Sequence, residues 1–203
     1  MDTANLTRDQ LLQRFLLTMP SDYHAQSLHR AAHLSPDSLQ KASVLVGFVE
    51  RKHGLNVIFT KRAAHLKHHP GQVSFPGGKY EESDGSLYQT AKRETQEEIG
   101  VSMCDIEILG KLPDLVTVSR FVVTPIVGLI DASYNARIDP NEVDEIFEIP
   151  ACYLLDQRKL YSGTFQIQNT WHRVFALPYK HHFIWGMTAQ IIQALQKHIN
   201  LPH

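Results

Sequence analysis

In the segment AKRETQEEIGV, residues 91–101, an apolar helical stripe turns into carboxylates without changing face. At about 100° per residue, Leu87, Ala91, Glu94 and Glu98 share one narrow band of a helix, with Glu97 beside it. A solvated acidic face would lie opposite the apolar stripe. Here the acids prolong the stripe, so they must point into the protein or into a cleft. The arrangement opposes helix stability twice. Glu94 and Glu98 are like charges at i,i+4, unfavourable by roughly 0.2–0.5 kcal/mol. Glu97 and Glu98 also sit at the negative end of the helix dipole, at a cost of roughly 0.3–1 kcal/mol each. Lys92 and Arg93 offset part of this, and Arg93 reaches Glu97 at i,i+4. A hard divalent cation is the simplest compensating partner, because Mg²⁺ and Mn²⁺ take oxygen ligands. A salt-bridged surface helix is the other reading that this geometry leaves open.

The rest of the chain supplies a sheet around that helix. SVLVGFVE (43–50) and LNVIFTK (55–61) flank the turn-like Lys52-His53-Gly54 and predict a β-hairpin. A Gly/Pro-rich loop, 68–85, leads into the acidic helix, expected from Ser86 to about Ile99 with Gly100 as its C-cap. Strands are expected near 105–113 and 121–130, followed by the acidic NEVDEIFEIP (141–150) and a hairpin at 164–178. A last helix, Trp185 to Ile199, carries Ile191, Ile192, Leu195 and Ile199 on one face, with Trp185 expected in the core. At the other end, residues 8–18 have apolar side chains at helical spacing, capped by Thr7 with Gln10 completing a capping box. Residues 33–40 read as loop. Residues 1–40 are therefore taken as an N-terminal helical arm and 41–203 as the main domain. Strands with helices before, within and after them predict an α/β (α+β) fold, a mixed central sheet covered by helices on both sides.

Composition excludes several classes. The chain has 203 residues, enough for one domain with a full core, and 20 basic against 21 acidic residues give a formal net charge of −1. That balance favours neither nucleic acid nor an anionic membrane as partner, so an anionic small-molecule substrate must be held by a local basic cluster. Cys104 and Cys152 stand far apart and predict reduced thiols, a cytosolic pattern. The N-terminus has no apolar signal region, and Phe121 to Ile130 is too short to span a bilayer. A soluble, cytoplasmic protein is expected. The histidines of HLKHHP (65–70) suggest a zinc site only weakly, since no thiolate or second histidine pair at ligand spacing supports them, and the other histidines read as ordinary surface residues.

Together with its preceding loop, the acidic helix resembles the Nudix box. Arg93, Glu94, Glu97, Glu98, Gly100 and Val101 fill its Arg-Glu-x-x-Glu-Glu-x-Gly-apolar half, with Thr95 at an apolar place, and Gly78 opens it, so that the box spans about 78–101. Asp84 stands where the family has Glu, and the interval from it to Arg93 is one residue longer than usual. Upstream, Phe59-Thr60-Lys61-Arg62-Ala63, Lys67, Gly71, Gln72 and Phe75-Pro76-Gly77-Gly78 resemble the coenzyme A pyrophosphatase branch, which shares the longer box. Lys67 replaces the usual Arg of that branch, keeping charge but losing bidentate phosphate geometry, and Phe59 replaces Leu. Residues 141–150, Leu154-Leu155-Asp156 and FIWGMTAQII (183–192) are similar to it as well.

The resemblance implies a Nudix-type α/β/α sandwich and hydrolysis of a pyrophosphate bond with Mg²⁺ or Mn²⁺. Glu94 and Glu98 would ligate the metal, with Glu97 a further ligand or the base that orients water, and Arg93 would hold Glu97. Glu142 and Glu145 are candidates for one more acid from a distant loop. Arg62, Lys67, Gln72, Gly77 and Gly78 would bind the substrate, and coenzyme A would yield 3′,5′-ADP and 4′-phosphopantetheine. Arg62 has the alternative of pairing with an acid of the box helix. ADP-ribose or another nucleoside diphosphate derivative keeps the same chemistry with another substrate, and a non-catalytic nucleotide-binding module is the alternative of a different class. Dimers are common among enzymes of this type, so a homodimer is admitted but not required.

Overall fold

A computed structural model of the chain describes residues 5–16, 39–117, 119–167 and 170–199. The first helix, α1 (Arg8–Leu16), starts as its capping box dictates. Thr7 Oγ1 accepts from the Gln10 amide at 3.3 Å, and Gln10 Oε1 accepts from the Thr7 amide at 3.1 Å. The expected continuation of this helix to residue 18 and the loop over 33–38 lie outside the described residues.

β1 (Gln40–Arg51) and β2 (Gly54–Arg62) form the expected hairpin, with Arg51 opposite Gly54 across Lys52-His53. β2 continues the sheet outward through the two-residue β3 (Val73–Ser74), while β4 (Gly77–Lys79) pairs with the start of β1. The box helix, α2 (Leu87–Ile99), follows. β5 (Ile106–Lys111) and β6 (Leu115–Val116) then pair antiparallel with β7 (Phe121–Ile130). β7 lies parallel to β1, from Gln40 opposite Phe121 to Val49 opposite Ile130. The acidic segment becomes β8 (Val143–Pro150), antiparallel to β2. The central sheet is therefore mixed, as expected.

Alternation along β1 builds a core on each side. Leu45 and Val49 join Ile58, Ile126 and Ile130 beneath Ala91 and Ile99 of α2. Val46 and Phe48 face the other way with Val57, Phe59 and Val127. That second face is covered by Leu11 and Phe15 of α1 and by Ile191, Ile192 and Leu195 of the last helix. A short α3 (Ala151–Leu154) leads out of β8. The layers are those of an α/β/α sandwich.

The C-terminal third departs from expectation in one respect. The predicted hairpin is present as β9 (Tyr161–Ile167) and β10 (Thr170–Tyr179), but a third strand, β11 (His182–Trp185), extends it into a separate sheet. The last helix, α4 (Met187–Ile199), consequently starts later than Trp185. Trp185 pairs with Ala176, and Gly186 at φ 66° ends the strand before the helix begins. Strand alternation sends Ile184 into the core and leaves Trp185 47% exposed, which corrects the core assignment for Trp185. Both cysteines are free thiols. Among the described residues no helix is long and apolar enough to cross a membrane.

Candidate active site

Two glycines bring the loop after β3 against the box helix. Phe75 is buried with its ring 4.6 Å from that of Phe59, and the Pro76 carbonyl accepts from the Leu45 amide at 2.8 Å. Gly77 has φ 154°, and a Cβ there would collide with the Ser43 carbonyl oxygen. A Cβ on Gly78 would fall 2.5 Å from the Glu94 carboxyl carbon. Glycine at 78 thus lets an acid of the helix lie directly on the strand backbone. The helix itself opens with Ser86 Oγ accepting from the Gln89 amide at 3.3 Å and closes at Gly100, φ 72°, as predicted.

The stripe of acids does enter the protein. Glu98 is 4% exposed, and its Oε2 is fully buried with no hydrogen-bond partner. Burial pushes its carboxyl up to about 8; Glu94 and Glu142 push the same way, while Arg62 and the Gly77 amide oppose them. Glu94 is half-buried and is also raised, by burial first. Glu97 is the outermost of the three, its side chain 57% exposed.

Arg93 organises the group. Its Nη1 donates to Glu97 Oε2 at 2.8 Å and lies 2.9 Å from Glu94 Oε1, its Nη2 donates to the Lys79 carbonyl at 3.1 Å, and its Nε donates to Asp84 Oδ1 at 2.7 Å. Asp84 also accepts from Thr90 Oγ1 at 2.8 Å and from the Glu81 amide at 3.0 Å. Those bonds, the one from Arg93 foremost, hold its carboxyl down at about 2. The substituted, shifted acid of the box is therefore the anchor of Arg93, a role that no pattern in the sequence identified.

Of the two distant acids, Glu142 is the one beside the box. The segment before it is tied to the end of α2, with the Asp139 amide donating to the Glu98 carbonyl at 3.0 Å and the Arg137 amide to that of Ile99 at 2.8 Å. The Glu142 carbonyl accepts from the Ala63 amide, one residue past Arg62, at 2.9 Å. Arg62 and Gln72 close the base of the Gly-rich loop, the Arg62 amide donating to the Gln72 carbonyl at 2.9 Å. Lys67 is exposed in that loop, and among the described residues no contact joins it to the carboxylates.

Glu145 belongs elsewhere. Its Oε1 lies 3.4 Å from His182 Nε2 and 3.8 Å from His181 Nε2. Among the described residues this is the group of metal-ligating side chains whose donor atoms all fall within 4.8 Å. The box acids are spread more widely, with the Arg93 guanidinium bonded to both Glu94 and Glu97. His65 instead bonds the Asn141 carbonyl at 3.1 Å. His182, expected at the surface, is buried with its ring stacked on Phe147 at 3.7 Å. The strand alternation of β11 would have indicated this, had the strand been recognised.

Comparison with known proteins places these residues in context. The model of the NUDIX domain matches residues 39–161. The chain is 36% identical over 201 residues to a protein of Salmonella typhimurium described as an uncharacterized Nudix hydrolase NudL, covering 99% of both chains. Among solved structures it is similar to a MutT/nudix family protein from Enterococcus faecalis, at 15% identity and a TM-score of 0.49 over 94% of this chain and 74% of that one. It is also similar to the NUDIX domain of Shewanella oneidensis NrtR complexed with ADP ribose, at 23% identity and a TM-score of 0.45 over 64% and 86%.

Proposed function

This chain belongs to the Nudix family of hydrolases, and from that premise we propose that it cleaves the pyrophosphate bond of coenzyme A or its derivatives. The observation that carries the chemistry is the buried, unpartnered Oε2 of Glu98, within reach of the charges of Glu94 and Glu142. An ionised carboxylate in that position is costly without a cation beside it. The donors are all carboxylate oxygens, which fits Mg²⁺ or Mn²⁺. Glu94 and Glu98 would hold the ion, with Glu142 as a further acid. When bound, such an ion neutralises charge on the diphosphate and lowers the pKa of water.

The chain's own groups supply the rest. Glu97, exposed and bonded to Arg93, orients the attacking water and accepts its proton. The water oxygen adds to one phosphorus, the bridging P–O bond breaks, and the products are 3′,5′-ADP and 4′-phosphopantetheine or its acyl form. Arg93 is a positioning residue, fixed by Asp84 and fixing Glu97. Arg62 and Lys67 offset substrate charge at the mouth of the loop, Gln72 supports that loop, and Gly77 and Gly78 allow phosphate to approach the backbone. The domain doing this is residues 41–203, with residues 1–40 as an arm. The coenzyme A reading is supported by the upstream segment 59–78 and by the longer box, whose extra residue is accommodated with Asp84 still bound to Arg93.

Product analysis with coenzyme A, ADP-ribose and NADH, each with Mg²⁺ or Mn²⁺, tests this. The expected result is 3′,5′-ADP from coenzyme A, abolished in Glu98→Gln. Faster cleavage of either other substrate would overturn the coenzyme A assignment.

A further inference from the structure

Across the sheet from the box helix, a second group of side chains converges that the proposed hydrolysis does not use. Glu145 comes from β8 of the central sheet, whereas His181 and His182 come from the turn into β11 of the three-stranded sheet. Tyr179 opposite His182 closes a two-residue turn of Lys180 and His181, with Lys180 at φ 53°. A non-glycine residue in that region is uncommon, and here it swings two successive imidazoles toward one carboxylate. The distances of 3.4 and 3.8 Å from Glu145 Oε1 to the two Nε2 atoms are close to the edge of a tetrahedron around zinc, about 3.3–3.5 Å for ligands about 2.0–2.2 Å from the ion. His182 is held for this geometry: it is buried, and its ring lies within 4° of parallel to Phe147. His181 is exposed, its side chain 71% accessible, so a fourth position faces solvent.

We propose that Glu145, His181 and His182 form a binding site for a borderline divalent transition-metal ion of the Zn²⁺ or Co²⁺ class, separate from the carboxylate site of the box. Two imidazoles with one carboxylate favour such ions over Mg²⁺, which takes oxygen ligands. Because the ligands come from both sheets, the ion is a clip between them. Its occupancy stabilises the folded state by mass action and leaves the box acids in place.

The full chain, stripped with EDTA and titrated with Co²⁺, provides the test, read from the visible absorption that low-symmetry imidazole-ligated Co²⁺ acquires. A band saturating at one equivalent is expected in the wild type and in Glu98→Gln. In His181→Ala the affinity should fall by at least about tenfold. His181→Ala changes an exposed side chain, and Glu145→Gln, a near-isosteric change, should weaken binding likewise. In the Glu98→Gln background, where the box site is disabled, Zn²⁺ should raise the melting temperature, and adding His181→Ala should abolish that rise. A band that persists unchanged in His181→Ala, is lost in Glu98→Gln, or is absent from the wild type would overturn the site. None of these readings depends on which diphosphate the enzyme cleaves.

Discussion

Glu98 and Asp84 are two carboxyl groups of one site pushed in opposite directions, and each leaves its own mark on stability. Burial holds Glu98 near 8, against 4.5 for a free glutamate. Between those values the folded protein keeps a proton that the unfolded chain has lost. Its contribution is therefore full below about pH 4.5 and is lost as pH rises through about 8, by at most about 1.4 kcal/mol per pH unit. Denaturant unfolding in EDTA should show this decline, Glu98→Gln should flatten it, and Mg²⁺ at pH 8 should stabilise the wild type alone. Asp84 behaves inversely: its contribution is present above 3.8 and is lost as pH falls toward about 2. Removing its charge leaves Arg93 without its main anchor, so Asp84→Asn should cost about 1.5–3 kcal/mol. It should also lower kcat with little change in KM, since Arg93 bonds Glu97 and in the proposed mechanism positions that residue rather than substrate. The inward direction of Glu94 and Glu98 and the pairing of Arg93 with Glu97 were open to inspection in the sequence because helical periodicity and i,i+4 spacing are local. Asp84 was not, since its partner depends on how the loop between Gly78 and Ser86 folds back.

At the scale of elements, the contact between β4 and α2 rests on two adjacent glycines that fail in different ways. A methyl group at Gly77 meets the backbone of β1, which cannot retreat, and φ 154° is strained for any L residue. Gly77→Ala should therefore lower stability by at least about 2 kcal/mol in a melting or denaturant experiment. A methyl group at Gly78 meets the flexible end of Glu94. Gly78→Ala should fold almost normally yet lose about a hundredfold in kcat if Glu94 holds the metal as proposed, because a displacement of order 1 Å at such a group is that costly. Equal loss of stability in both variants would contradict the distinction. Elements defined by short-range signals were readable in advance, among them the β1–β2 hairpin, the capped α1 and the Gly100 stop of α2. The strand at 182–185 was not, because FIWG joins a helical pattern at Met187 and only pairing with β10 reveals it. The histidine cluster was missed for the same reason.

Over the whole molecule, the N-terminal helix is part of the core. Phe15 is 5% exposed, its carbonyl accepts from His198 Nε2 at 3.0 Å, and its ring lies 4.7 Å from that of His198. Phe15→Ala should lower stability by about 3–5 kcal/mol. Turnover measured well below the melting temperature should stay within about twofold, since α1 and α2 lie on opposite faces of the sheet; a large fall in kcat would show that α1 also shapes the site. The parallel ladder between β1 and β7 has a different consequence, one that unfolds in time. A ribosome must release residue 130 before the strand begun at residue 40 can find its central neighbour. Until then β1 and β2 form a hairpin with an apolar edge open to any passing strand, and both cores wait on the same closure. Such long-range pairing puts refolding in the millisecond-to-second range rather than the microsecond range. The interval before β7 arrives is when this chain is most exposed to aggregation.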